Sequence, residues 1–106
     1  MRVLFDQGAP APLRAVLSQH DVSTAYELGW SDLTNGELLD SAERDGYEVL
    51  VTTDTNLRHQ QNLGARRIAV VVLRSTSWPR IQRAIPSVVG AIDTASPGSC
   101  TEVEIP

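Results

Sequence analysis

Three acidic side chains, Asp6, Glu37 and Asp54, stand where a small α/β chain would keep its chemistry. Asp6 follows the short run RVLF, residues 2–5, and Asp54 follows the apolar run VLV, residues 49–51, by way of Thr52 and Thr53. Runs of this kind read as strands covered on both faces, and in open α/β sheets ligands bind outside the carboxyl ends of the strands. Glu37 falls in the first turn of a helix expected to leave the same edge. Carboxylates that converge there, with no His or Cys beside them, present hard oxygen ligands suited to Mg²⁺ or Mn²⁺ rather than to zinc. Such a metal activates water and stabilises the charge that builds during phosphodiester cleavage.

Each acid also has a plainer reading. Asp6 can cap a loop by bonding local backbone. Glu37 can close a capping box with Thr34 across TNGE, and for this residue that reading is the stronger one. Asp54, with Thr52, Thr53, Thr55 and Asn56, can be a polar strand exit, but so dense a polar cluster after a buried strand favours a site.

The elements that must position these residues follow from the apolar pattern. After Asp6 comes the loop QGAPAP and then a helix through LRAVLSQ, with Leu13, Val16 and Leu17 as its buried stripe. A short strand is expected at Val22–Ala25. The second helix opens at Thr34, buries Leu38, Leu39 and Ala42, and stops at Asp45-Gly46. EVLV is the next strand, then TTDTN, then a helical turn through LRHQQNLGA. IAVVVL, residues 68–73, is the most hydrophobic run and reads as a fully buried central strand. Trp78-Pro79 starts a further helix with Ile81, Ile85, Val88, Val89 and Ile92 as apolar positions, broken or kinked at Pro86. TEVEIP alternates as an edge strand does. Strands alternating with helices imply right-handed crossovers, so the expected architecture is a single three-layer α/β domain with a mainly parallel sheet of about five strands.

Composition narrows the function classes. With 42% hydrophobic and 21% charged residues the 106-residue chain is of ordinary globular type. A formal charge of −4 argues against a protein that holds nucleic acid through a broad basic footprint, though transient handling of RNA stays open. All nine positive side chains are Arg. The single Cys100 excludes an intrachain disulfide and a multi-cysteine metal site. MRVLF starts a strand without a signal core, and no apolar run approaches the ~20 residues of a membrane span, so a cytoplasmic location and no membrane partner are expected. The absence of lysine, with Gln7 beside Asp6, argues against a phospho-accepting receiver, and neither GxGxxG nor GxxxxGK[ST] is present. His20 and His59 read as surface or partly packed, and Trp30 and Trp78 as core or core-edge anchors.

The order LFDQGAPAPLRAVL, HDVSTAYELG and NGELLDSAERDGYEVLVTTDTNL resembles the minimal PIN-like domain proteins, whose chains read roughly LLDENLP, GHDV with an ELG-like turn, DEEIL and TxDxDF. The resemblance covers residues 3–57 by motif. It implies a metal-dependent endoribonuclease that is the toxin of a bacterial toxin–antitoxin pair. It further implies that Asp6, Glu37 and Asp54 bind Mg²⁺ or Mn²⁺, that Thr52 supports the carboxylates, and that a small antitoxin and a homodimer are the partners beside RNA. Arg58, just after the motif, could meet substrate phosphate or be a solvated charge. Four positions depart from the pattern. Gln7 replaces a second acid, Asn35 replaces the Asp that opens the helix, and Asn56 with Leu57 replaces the end of TxDxDF. Asn35 and Asn56 keep a carbonyl oxygen but no charge, which weakens the attraction for a divalent cation. The alternative expectation is therefore a degenerate PIN-like module that acts by protein–protein binding.

Overall fold

The computed structural model describes residues 1–106. Five strands, β1 (Arg2–Phe5), β2 (Asp21–Thr24), β3 (Val49–Thr52), β4 (Ala69–Leu73) and β5 (Cys100–Val103), form one sheet in the order β2-β1-β3-β4-β5. Every pairing is parallel. This is the doubly wound order in which the chain reverses its direction of growth between β1 and β3.

Period-two alternation splits the apolar side chains into two cores. Val3, Phe5, Val49, Val51, Val71 and Leu73 point to the face covered by α3 (Trp78–Gln82), α4 (Ile85–Asp93) and a 3₁₀ segment at Ala11–Val16. Leu4, Leu50, Val70 and Val72 point to the other face, under α1 (Asn35–Arg44), α2 (Leu57–Gln60) and a 3₁₀ turn at Leu63–Ala65. The expected three layers are therefore present, and β3 and β4 are buried at every position because both faces are covered.

Local differences from the sequence reading have identifiable causes. The expected helix through LRAVLSQ is a 3₁₀ segment that starts two residues earlier, at Ala11, with Pro10 as its N-cap and Pro12 in its first turn. Only Leu13 and Leu17 enter the core there, and Val16 is exposed. LRHQQNLGA yields two short pieces rather than one turn. The Pro86 break is real: α3 ends at Gln82 and α4 restarts with Pro86 in its first turn, where a missing N–H costs nothing. Ala84 is buried beside it, while Ile85 and Val89 are only partly so. Trp78 packs against the first core and Trp30 against the second, where it meets Tyr47 edge-on at 6.3 Å. His20 is bonded to Asp93 of α4 at 2.7 Å, and His59 is exposed.

The helix that faces the site is anchored at both ends. Thr34 Oγ1 accepts the Glu37 N–H, and Glu37 Oε1 accepts the Thr34 N–H at 2.9 Å, closing the capping box. At the other end Gly46 takes φ +82°, a conformation that favours glycine, and turns the chain towards β3. Arg66 clamps the outer side of α1 through Asp40 at 2.8 Å and Glu43 at 2.9 Å. The bond from the Thr34 backbone holds the Glu37 carboxyl below its ordinary value of 4.5. A depressed folded value means that this contribution is present above the unfolded value and fades as pH falls through the folded one. Thr34→Ala is expected to cost about 1 kcal/mol at neutral pH, read as a shift in the urea unfolding midpoint.

Candidate functional site

Register brings the two strand exits together. Val3, Leu4 and Phe5 pair with Val49, Leu50 and Val51, so Asp6 and Thr52 are the next pair in line. The Asp6 N–H donates to the Val51 carbonyl at 2.9 Å, extending the ladder by one bond. Both side chains fall on the α1 side of the sheet, because each lies two residues beyond a leucine of the second core.

Thr52 is the centre of the arrangement. Its side chain is fully buried, and its hydroxyl donates to Asp6 Oδ2 at 2.8 Å while accepting the Asp54 N–H at 3.1 Å. One hydroxyl thus couples the loop after β1 to the loop after β3. The other carboxylate oxygens are also engaged. Asp6 Oδ1 accepts the Gln7 N–H at 2.7 Å, Asp54 Oδ1 accepts the Asn56 N–H at 2.9 Å, and Asp54 Oδ2 accepts from Asn35 Nδ2 at 3.0 Å. Asn35 is the first residue of α1, and its amide also reaches Gln60 Oε1 at 3.3 Å. The two loops approach so closely that a Cβ on Gly8 would lie 2.1 Å from Thr53 Oγ1.

The sequence candidates therefore divide. Asp6, Thr52, Asp54 and Asn35 form one hydrogen-bonded group. Asn56 contributes its backbone N–H rather than its side chain. Glu37 is spent on the capping box, in line with the plainer reading of TNGE. No three His, Cys, Asp or Glu side chains gather into a metal-holding cluster, so Glu37 does not complete one with Asp6 and Asp54. Arg58 pairs with Glu102 of β5 at 2.8 Å. Arg74 shares that acid, and its hydrogen bond holds the Glu102 carboxyl below the usual range. Gln60 belongs to the group, although nothing in LRHQQ marks it as a residue that turns back towards Asn35.

The position has a topological meaning. The group sits at the carboxyl ends of β1 and β3, the pair between which the strand order reverses, and doubly wound sheets hold their ligands in that crevice. The fold is a three-layer α/β domain with a hydrogen-bonded group of two carboxylates at its switch point. No family model matches the sequence, and no curated protein or solved structure is significantly similar to it. No helix is long and apolar enough to cross a membrane.

Proposed function

We propose that this chain is a PIN-like endoribonuclease that works with Mg²⁺ or Mn²⁺ at Asp6 and Asp54, the toxin of a cytoplasmic toxin–antitoxin pair. The observation that carries the reading is the buried Thr52 hydroxyl, which ties both carboxylate-bearing loops together at the switch point. The donor set suits such an ion. Two carboxylates and the Asn35 Oδ1 are hard oxygens, and Mg²⁺ commonly takes one or two carboxylates with waters and substrate phosphates. Asp6 and Asp54 would hold it, and Asn35, whose Nδ2 faces Asp54, would join as an uncharged third donor only after its amide turns over. When bound, the ion supplies positive charge against the phosphate and makes water a better nucleophile.

The chain's own contribution is orientation. Thr52 fixes the Asp6 carboxylate, and the N–H groups of Gln7 and Asn56 lock both acids before any ligand arrives. A small antitoxin covering this edge and a homodimer belong to the same reading. Titration with Mn²⁺ by calorimetry, followed by an RNA cleavage assay on the same sample, tests it. Binding with metal-dependent cleavage is the expected result; a parent protein that neither binds Mn²⁺ nor cuts RNA sinks the reading.

A second reading, a module that binds a partner without catalysis, is favoured by one observation. Asn35 places an N–H donor against Asp54, which satisfies that carboxylate without a cation. Asn35→Asp replaces the donor with a second negative charge. It is expected to raise Mn²⁺ affinity about tenfold or more and to lower metal-free stability by about 1 kcal/mol. If Mn²⁺ binding and cleavage appear only in Asn35→Asp, alone or with Asn56→Asp, the non-catalytic reading is the correct one for the parent.

A further inference from the structure

The geometry points to a nucleobase-binding subsite beside Asp6, built on the exposed ring of Tyr26. The choice of ligand rests on the ribonuclease reading. Tyr26 is 80% exposed, well beyond the other exposed large apolar side chains, Met1 at 36% and Val16 at 42%. Tyr26 borders a cleft of about 260 Å³ whose lining also includes Phe5, Ala9, Ala25, Asp6 and Gln7. The cleft therefore adjoins the carboxylate group directly.

The turn that carries Tyr26 is braced rather than loose. Glu27 Oε1 accepts the Thr24 N–H at 2.9 Å, and Thr24 Oγ1 accepts the Glu27 N–H at 3.1 Å. Arg14 pairs with Glu27 and donates to the Val22 carbonyl at 2.7 Å. The N–H groups of Leu28, Gly29 and Trp30 close back on Thr24, Tyr26 and Ala25. An aromatic residue carried on a backbone held by so many bonds loses little backbone entropy on stacking a ligand.

A flat, partly apolar group with polar edges fits this setting, because stacking uses the ring face and the Gln7 amide can meet a base edge. A protein of net charge −4 cannot rely on a basic groove to hold RNA, so stacking is a suitable source of affinity. Single-stranded RNA is the substrate class this selects, since a base inside a duplex has its faces stacked on neighbours and its pairing edge occupied.

Fluorescence anisotropy with a labelled single-stranded oligoribonucleotide, in parent, Tyr26→Phe and Tyr26→Ala proteins, tests the subsite. Mn²⁺ calorimetry and cleavage kinetics accompany it. Tyr26→Ala is expected to weaken RNA binding about tenfold and raise KM accordingly, with Mn²⁺ affinity unchanged, while Tyr26→Phe binds as the parent does. If the parent cuts RNA and Tyr26→Ala cuts it with the same KM, the subsite is overturned and the nuclease reading stands; the turn is then better assigned to a protein partner. If the parent binds neither RNA nor Mn²⁺, both fall together.

Discussion

Asp54→Ala is expected to weaken Mn²⁺ binding more than about 100-fold and to bring RNA cleavage to the assay background, because even groups that only orient a metal ligand cost about 10–100-fold when removed. The substitution removes one of two carboxylates, and the remaining donors, Asp6 and Asn35, carry a single negative charge between them. The fold should survive. Thr52 bonds the backbone N–H of residue 54, which alanine keeps, and the two groups that lose an acceptor, Asn35 Nδ2 and the Asn56 N–H, lie at an accessible edge. Asp54→Asn is the companion variant, since it keeps the shape and removes only the charge. Full cleavage by Asp54→Asn, with a circular dichroism spectrum like the parent's, would remove Asp54 from any catalytic role.

Leu50→Ala should produce the largest loss of stability, about 2–5 kcal/mol, against a total of about 5–15 kcal/mol for a domain of ordinary stability. Leu50 is fully buried on β3, the middle strand of the sheet, with Leu4 and Val70 as its register partners on either side. This row forms the floor under Leu38, Leu39 and Ala42 of α1. Rigid strands on both sides leave little room for the gap to collapse, which places the cost in the upper part of the range. Urea unfolding followed by tryptophan fluorescence measures it. A loss below about 1 kcal/mol would mean that the second core is loosely packed.

Much of this organisation could be read from the chain, for reasons that differ by region. IAVVVL and VLV are legible because strands buried on both faces admit only apolar side chains, so the pattern has a single explanation. TNGE is legible because a capping box is a purely local exchange of two hydrogen bonds. The stretch LRAVLSQ misleads because Leu13, Val16 and Leu17 satisfy helical spacing, whereas the prolines at 10 and 12 and the short path to β2 impose a tighter turn that leaves Val16 outside.

The site is legible only in part. Asp6, Thr52 and Asp54 announce themselves as polar residues at strand ends, a position that topology makes meaningful. The partners of Arg58 and Gln60 depend on how α2 lies against β5 and α1, and no local spacing encodes that. Tyr26 escaped notice for a related reason. A single aromatic in an irregular stretch has no periodicity, and its exposure follows from a turn stabilised by Arg14, which is remote in sequence from Glu27.

The bond between Thr52 and Asp6 joins residues 46 positions apart. It therefore cannot form until the β1–β3 pair has closed around the intervening segment, which includes β2 and α1. Non-local parallel pairing of this kind is a slow class of folding event. A chain interrupted before β3, or trapped before that pair closes, holds Asp6 without its hydroxyl partner and without Asp54. Whatever chemistry the group supports thus depends on the closure of a long-range strand pair and not on either loop alone.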